Sequence, residues 1–389
     1  MQYDEMLDYL YGLGKLGSIL GLERIEKVSK ELGNPHKNLK VIHIAGTNGK
    51  GSVATMLDSI LREAGYSVGL YTSPHLVDFR ERIRVNGEMI SKDDCLKFFA
   101  KLKDKDLTFF EYTTMLAFLH FSEKKPDFVI LEVGCGGEFD ATNICIPFVS
   151  IITKIALDHQ EFLGAYNVKD IAKTKCGIIK QAPVFTCNSG DILEVVKEKC
   201  KQQEVNLVVT GDYLGEIGLK GEFQKQNAGI AVSVAKFLGV DDNIICDGIV
   251  NTKWFGRIDW LEKNVLIDGA HNEDGVEALV EYLKGLEYDK LILVFGACDN
   301  KNYIEFLKMI PYDKLILTKA DLARAVDPEV VKKKIGEAEI VIDSLDALNK
   351  AKKLAGENDL ILVTGSLYLL GDLMKKLMGR EDRVINEFV

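Results

Sequence analysis

The chain has 389 residues, of which 47% are hydrophobic and 28% charged, and this composition is typical of a globular protein long enough for two domains. Its formal net charge of −10 argues against broad binding to nucleic acid or to an anionic membrane surface. The first eight residues are polar and acidic, unlike a signal peptide, and no apolar run approaches the roughly 20 residues of a membrane span, so we expect a cytoplasmic protein.

The eight cysteines include no C-x-x-C pair. We therefore expect reduced, mostly buried thiols and no zinc site. Composition also favours a monomer.

Residues 3–33 are predicted to be helical, with an interruption near residues 16–25. Three glycines between residues 14 and 21 predict a mobile loop there, or an ordinary connection between two helices. The second helix is expected to begin near Leu22.

Residues 41–52 read Val-Ile-His-Ile-Ala-Gly-Thr-Asn-Gly-Lys-Gly-Ser. The apolar start predicts a buried parallel strand, and the residues after Ser52 have helical spacing. A strand, a glycine-rich turn with a lysine, and a helix N-terminus form a phosphate cradle. We expect Lys50 to reach the terminal phosphates and the Ser52 hydroxyl to contact Mg²⁺. The common pattern G-x-x-x-x-G-K-[ST] is not matched, because Ile44 stands at its first glycine and Gly51 separates Lys50 from Ser52.

The next strands also end in polar residues. Residues 67–71 lead into Thr-Ser-Pro-His, and residues 127–133 place Glu132 at a strand end, where an acidic residue is suited to bind Mg²⁺. Residues 79–84 are too charged for a core strand, and we expect Arg80 and Arg84 in a solvated run. Residues 134–143 are predicted to form a flexible loop that carries Asp140 and Asn143.

Residues 148–153 predict a further strand that leads to His159, which is either a core histidine or a metal or phosphate ligand. Residues 167–180 predict a helix with Lys175 near its middle. The local pattern alone places Lys175 on a solvated face.

Gln224 opens the helix that closes the first domain, and the segment 251–257 marks the junction. Strands near residues 264–268, 290–296, 313–318, 339–342 and 359–364 alternate with helical patterns, which favours a second parallel sheet. We therefore predict an α/β fold with a P-loop-containing, doubly wound ATPase domain at residues 1–253 and a smaller Rossmann-like domain at residues 254–389.

Nine blocks in order resemble the folylpolyglutamate synthase/dihydrofolate synthase family of the Mur ligase superfamily. Beside the glycine-rich residues 46–52, which carry the same resemblance, six of the nine blocks lie in the first half: residues 20–24, 32–35, 71–76, 132–134 with 140–143, 158–159 and 171–180. In the second half they are Trp254-Phe-Gly-Arg257, Asp268-Gly-Ala-His-Asn272 and Gly365-Ser-Leu-Tyr368. Together they span nearly the whole chain.

The resemblance implies a role for each matching residue. The implied ATP-binding residues are Thr47, Asn48, Gly49, Lys50, Gly51, Ser52, Asn227, Arg257 and Asp268. The implied ligands of two Mg²⁺ ions are Ser73, Glu132 and His159. The implied catalytic residues are Lys50, Lys175, Arg257 and His271. The implied pterin- or folate-binding residues are Leu22, Arg24, Ser73 and Thr114.

One of these roles changes the interpretation made from the local pattern. The resemblance implies that Lys175 is carried as a carbamate, an anionic group near the metals. It also implies that Arg257 lies at the γ-phosphate when the domains close.

The implied reaction is an ATP-dependent ligation. Phosphoryl transfer to a carboxylate gives an acyl phosphate, and the α-amino group of L-glutamate then displaces phosphate to form an amide. We expect a bifunctional enzyme that accepts dihydropteroate and folates; the alternatives are tail extension alone, a Mur-type ligase, or a non-catalytic ATP-binding module. The chain departs from the family at Glu138, where arginine is usual, and at Thr174, Phe223, Phe255 and Glu273.

Overall fold

The computed structural model describes residues 2–14, 21–157, 164–298 and 302–379. Its strands form two separate sheets. The predicted α/β class with two parallel-rich sheets is confirmed. None of the helices in these ranges is long and apolar enough to cross a membrane.

The first sheet has eight strands in the order β4-β3-β2-β5-β1-β6-β7-β8. They are β1 Val41–Ala45, β2 Val68–Tyr71, β3 Ile83–Val85, β4 Glu88–Met89, β5 Phe128–Glu132, β6 Pro147–Ile152, β7 Val184–Thr186 and β8 Leu207–Val209. The six strands from β2 to β8 in this order pair in parallel, while β3 and β4 form an antiparallel margin.

The second sheet has six strands in the order β13-β12-β11-β14-β10-β9. They are β9 Asp259–Glu262, β10 Val265–Ile267, β11 Leu291–Phe295, β12 Lys314–Leu317, β13 Glu339–Ile340 and β14 Leu360–Thr364. All neighbours pair in parallel except β9, which is antiparallel to β10.

The α-helices before β9 are Tyr3–Gly14, Glu23–Glu31, Lys50–Glu63, Lys92–Leu102, Phe109–Lys124, Val168–Lys175, Gly190–Gln202, Gln224–Phe237 and Asp242–Val250. Those after it are Glu273–Lys284, Tyr303–Met309, Pro328–Ile335, Ser344–Leu354 and Leu367–Leu377. Short 3₁₀ helices occupy Phe79–Arg82, Ala141–Ile144 and Cys176–Ile178.

Helices cover both faces of each sheet. Val129 and Leu131 of β5 pack into a core with the helix Phe109–Lys124, whereas Phe128 and Ile130 pack into a second core with the helix Lys50–Glu63. Alternate side chains of a strand point to opposite faces, and a strand buried on both faces is apolar throughout. The long apolar runs in the sequence therefore located the central strands correctly.

Two short strands were not predicted, and two further segments differ in detail from their predictions. Residues 83–85 form strand β3, and residues 259–262 form an antiparallel strand that the βα pattern did not indicate. The helix that carries Lys175 ends at this residue, because a 3₁₀ turn follows. The loop predicted to be flexible is held by buried Asp140, whose carboxylate accepts hydrogen bonds from the N–H groups of Gly134, Cys135 and Thr142.

The domain division predicted at residues 253/254 falls between the helix Asp242–Val250 and β9. The helix Asp242–Val250 packs on the helix Lys50–Glu63, where the Ser59 hydroxyl donates to the Gly248 carbonyl at 2.7 Å. The exact division stays a prediction.

Candidate active site

The glycine-rich turn lies between β1 and the helix Lys50–Glu63 at the carboxyl edge of the first sheet. Gly49 is the N-cap of this helix, with a φ of 90°, a conformation that costs other residues strain. A Cβ at this position would lie 2.2 Å from Oδ1 of Asn227. Glycine is therefore required here both by conformation and by the approach of Asn227.

The first half of the turn is anchored by hydrogen bonds to the segment that follows β6. The N–H groups of Thr47 and Asn48 donate to the Lys154 carbonyl at 2.9 and 3.2 Å. The Thr47 hydroxyl also donates to the Ala156 carbonyl at 3.0 Å. Nζ of Lys50 donates to the carbonyls of Gly46 and Thr47, both at 3.2 Å, so its ammonium group lies over the turn.

Lys175 reaches the same turn from a distant part of the sequence. It is the last residue of the helix Val168–Lys175 and only 5% exposed. Its Nζ donates to the Gly46 carbonyl at 2.8 Å. The solvated position expected from the local pattern is therefore wrong, and the amine lies beside the glycine-rich turn.

Glu132 and Ser73 meet at the ends of β5 and β2. Oε2 of Glu132 accepts a hydrogen bond from the Ser73 N–H at 3.1 Å. Burial raises the pKa of this carboxyl, and the charges of Lys50 and Arg257 oppose the rise. A buried carboxylate that faces two cations and a serine forms a compact polar site.

These residues can be tested for a fit to Mg²⁺. The Glu132 carboxylate and the hydroxyls of Ser52 and Ser73 are hard oxygen donors, which suit Mg²⁺ when phosphate oxygens and water complete its shell. His159 lies outside the described residues. Within the described ranges, no group of three or more His, Cys, Asp or Glu side chains is arranged to hold a metal ion alone, so the donor set fits a metal that also binds substrate phosphates.

The helix Gln224–Phe237 contributes amide side chains to the opposite side of the turn. Nδ2 of Asn227 donates to Oε1 of Gln224 at 2.9 Å, and Nε2 of Gln224 donates to the Ser52 hydroxyl at 3.3 Å. These contacts place Asn227 and Ser52 around one amide pair. Sequence reasoning identified both of them but not Gln224.

Asp268 and Arg257 belong to the part of the chain that forms the second sheet. The Asp268 carboxylate accepts hydrogen bonds from the N–H groups of Ile258 and Ala270 at 2.8 and 2.7 Å. Burial raises the pKa of Asp268, and Arg257 acts in the opposite direction. Arg257 therefore interacts electrostatically with carboxylates of both sheets, Glu132 and Asp268. His271 is near, with Nδ1 2.8 Å from the Gly269 carbonyl oxygen.

The glycine-rich turn also contacts the start of the helix Glu273–Lys284, which belongs to the second half of the chain. The side-chain amides of Asn48 and Asn272 exchange hydrogen bonds at 3.1 and 3.3 Å. Nδ2 of Asn48 donates to Asp274 at 2.7 Å, and Asp274 also pairs with Lys154. Sequence reasoning missed Lys154 and Asp274, because neither lies in a recognised motif.

A cavity of about 570 Å³ opens beside this contact. One wall comes from residues 215–225, which include Phe223, and the other from Asp274 and the helix that follows it. Lys154 lines the cavity as well. The cavity therefore lies between elements of the two sheets and next to the glycine-rich turn.

Of the predicted pterin-binding residues, Ser73 lies beside Glu132, whereas Leu22, Arg24 and Thr114 lie against or in the helix Phe109–Lys124. Nε of Arg24 pairs with Glu111 at 3.2 Å, and Leu22 packs against the core around the helix Phe109–Lys124. The Thr114 hydroxyl donates to the Phe110 carbonyl at 2.8 Å, and its side chain is fully buried. Thr114 thus has little surface left for a ligand, whereas Arg24 and Leu22 are partly exposed.

Models of two known domains match the chain. The Mur ligase middle domain matches residues 44–237, and the Mur ligase, glutamate ligase domain matches residues 256–367. The matched ranges include the glycine-rich turn and Lys175 in the first, and Arg257, Asp268 and His271 in the second.

Relatives align over almost the whole chain. A dihydrofolate synthase/folylpolyglutamate synthase of Bacillus subtilis is 32% identical over 96% of this chain and 99% of its own length. A probable bifunctional folylpolyglutamate synthase/dihydropteroate synthase of Haloferax volcanii is 36% identical over 96% of this chain. The chain spans only 50% of the length of this second relative.

Solved structures have the same architecture. Escherichia coli FolC in complex with DHPP and ADP superposes with a TM-score of 0.88 and 29% identity, covering 97% of this chain and 98% of that chain. A bifunctional folylpolyglutamate synthase/dihydrofolate synthase with Mn, AMPPNP and L-glutamate bound gives a TM-score of 0.86 and 27% identity, covering 97% and 99%.

Proposed function

The chain belongs to the folylpolyglutamate synthase/dihydrofolate synthase family of the Mur ligases, and from this membership we propose that it joins L-glutamate to a pterin or folate carboxylate at the expense of ATP. The observation that carries the proposal is the meeting of Lys175, Glu132 and Asn227 around the glycine-rich turn. These residues come from three distant segments, and the family resemblance implies a role in the ligase reaction for each of them.

The proposed ATP site combines the glycine-rich turn with the cavity beside it. The N-terminus of the helix Lys50–Glu63 offers backbone N–H groups and a positive dipole end to the phosphates. Lys50 adds a positive charge over the turn, and Asn227 borders the turn at Gly49. The cavity of about 570 Å³ is large enough for the nucleoside part of ATP.

A divalent metal fits between Glu132 and the phosphates. When bound, Mg²⁺ supplies positive charge that neutralises the transferred phosphoryl group. Glu132 and the hydroxyls of Ser52 and Ser73 would hold it. The relative with Mn and AMPPNP bound supports a metal–nucleotide pair.

We further propose that Lys175 is carbamylated. A carbamate keeps one N–H on its nitrogen, so the hydrogen bond from Nζ to the Gly46 carbonyl is compatible with the modification. The added group is an anion with two oxygen acceptors. It would place a second carboxylate-like ligand beside Glu132 and the phosphate turn.

The remaining chemistry is positioning and charge neutralisation. A carboxylate is a poor acyl donor, and phosphorylation converts its oxygen into a good leaving group. Lys50 and Arg257 balance the phosphoryl charge from the two sides. Asp268 lies close enough to Arg257 for their charges to interact, and His271 borders the same segment. The amine of glutamate then attacks the activated carbon, and phosphate leaves.

The acceptor carboxylate is proposed to come from dihydropteroate as well as from a folate. The names of the relatives include both activities, and Arg24 and Leu22 offer a partly exposed surface near the first sheet's edge. Tail extension alone is the second candidate, because Glu138 is exposed where the family usually has arginine.

The test is phosphate release with ATP, Mg²⁺ and L-glutamate, with either dihydropteroate or tetrahydrofolate as acceptor and products identified by mass. We expect a glutamyl product from both acceptors. A product from tetrahydrofolate alone would favour tail extension. ATP hydrolysis that requires neither acceptor nor glutamate would contradict the ligase proposal.

A further inference from the structure

The glycine-rich turn is connected to the start of the helix Glu273–Lys284 by a small polar contact, in which Lys154 and Asp274 lie outside the family motifs. Asn272 caps the helix Glu273–Lys284, and its side-chain oxygen accepts the Gly275 N–H at 2.9 Å. The same side chain exchanges hydrogen bonds with the amide of Asn48. The start of this helix is therefore held against the turn that is proposed to bind phosphate.

Asp274 connects two parts of this contact. Its Oδ2 accepts a hydrogen bond from Asn48 at 2.7 Å, and its Oδ1 pairs with Nζ of Lys154. The backbone carbonyl of Lys154 in turn holds the N–H groups of Thr47 and Asn48. The backbone of Lys154 thus contacts the turn, and its side chain contacts Asp274 in the helix Glu273–Lys284.

The negative charge of Asp274 in this contact disfavours the binding of an anion at the turn. The Asp274 carboxylate is within hydrogen-bond distance of a residue of the phosphate turn, so its negative charge would repel a polyphosphate there. Lys154 compensates that charge directly. The Lys154 side chain is 47% exposed and that of Asp274 is 18% exposed, so solvent screens the interaction only in part.

We propose that Lys154 and Asp274 are positioning residues that set the affinity for ATP, with Lys154 acting by neutralising Asp274. The inference rests on the proposed function, since ATP is its nucleotide. Both residues also line the cavity proposed to take the nucleoside, so their pairing joins two segments of its lining.

The first experiment is calorimetric binding of ADP to the whole protein. Lys154→Met should weaken ADP binding about 5-fold, because it leaves the Asp274 charge unbalanced beside the phosphates. The double variant Lys154→Met/Asp274→Asn should return to within about 2-fold of the wild type. In the ligase assay the single variant should raise KM for ATP and leave kcat unchanged.

A matched pair serves as control. Nζ of Lys352 lies 2.5 Å from Oε1 of Glu262, and both residues belong to the second sheet and its helices. Lys352→Met should leave ADP binding unchanged. If Lys154→Met binds ADP as tightly as the wild type, or if the double variant is as weak as the single one, the inference is overturned.

A second readout separates this inference from the proposed function. If the wild type binds no ADP, the proposed function fails, and the pair is then judged by hydrogen exchange in the protein without nucleotide. Lys154→Met should accelerate exchange in the segment 270–276, whereas Lys352→Met should not. Equal exchange in the two variants would overturn the role of the pair.

Discussion

At the scale of single residues, the buried lysine is the most informative group of the site. Lys175 is separated from Gly46 by 129 residues, yet its amine lies 2.8 Å from the Gly46 carbonyl. Burying a lysine is unfavourable unless its ammonium group is satisfied or modified. Its position is thus explained by the turn that it contacts.

We expect Lys175→Met to reduce turnover by about 100-fold or more, because it removes a charged group at the proposed site of phosphoryl transfer. The control is Lys173→Met, on the same helix, where the side chain is 69% exposed. Its turnover should stay within about 2-fold of the wild type. Full activity of Lys175→Met would contradict the role.

The carbamate has its own readout in the same proteins. With ¹³C-bicarbonate, the wild type should give a carbamate signal by NMR, and Lys175→Met should not. High bicarbonate should partly restore activity to carbamate-depleted enzyme. An active wild type without the signal would exclude the modification.

At the scale of elements, the helix Val168–Lys175 depends on its N-cap. Oδ1 of Asn167 accepts hydrogen bonds from the N–H groups of Lys169 and Asp170 at 2.9 and 3.1 Å. The helix has only two turns, and its last residue is Lys175. Fraying of the helix at its N-terminus would therefore displace the amine of Lys175 at its other end.

Asn167→Ala is expected to lower the free energy of unfolding by about 1 kcal/mol and turnover by about 10-fold. Asp327→Ala removes a comparable cap from the helix Pro328–Ile335, where Asp327 accepts the Glu329 N–H at 2.9 Å. It should have a similar effect on stability and none on turnover. Denaturant unfolding and steady-state kinetics measure the two effects, and equal turnover in both variants would contradict the coupling.

Elements with strong local signals could be predicted from the sequence. Strand β1 was predicted at residues 41–45 and observed there, because a strand buried on both faces is continuously apolar. Short strands at sheet margins, such as β3 and β9, carry charged residues and give no such signal. The burial of Arg82 could not be predicted either. It lies in a charged run of the sequence, yet it is fully buried, and its Nε donates to Nδ1 of His75 at 2.7 Å.

The candidate site was predictable where it follows a motif and not where it depends on tertiary contact. The turn 46–52 can be recognised from the sequence, because its glycines, lysine and serine are consecutive or nearly so. In contrast, Asn48 and Asp274 are 226 residues apart. Nothing in the local sequence around Asp274 or Lys154 indicates that they meet, because the contact exists only once both sheets are formed.

At the scale of the whole molecule, buried histidines link stability to pH. Burial lowers the pKa of His43 to about 3, and those of His36 and His120 to about 4. The unfolded chain would protonate these groups near pH 6.5. Below that pH the unfolded state binds more protons, so stability should fall as the pH falls from 6.5 towards the folded pKa values.

Each of these histidines should cost up to about 2 kcal/mol of unfolding free energy between pH 7.5 and pH 5. His43→Gln keeps a polar group near the Thr142 hydroxyl, which lies 2.8 Å from Nε2 of His43, but cannot be protonated in this range. Urea unfolding at both pH values should show a smaller loss for the variant than for the wild type. The measurement at pH 7.5 controls for packing, and an equal loss in both proteins would contradict the explanation.

The Lys154 carbonyl has a further consequence for the glycine-rich turn. It engages the N–H groups of Thr47 and Asn48, and the first bond within the following helix runs from the Val53 N–H to the Gly49 carbonyl. The N–H groups of residues 49–52 are those that a helix leaves without an internal acceptor. The turn thus has two parts with different contacts: residues 47 and 48 are anchored to the segment that follows β6, and the amides of residues 49–52 belong to the helix start that is proposed to face an anion.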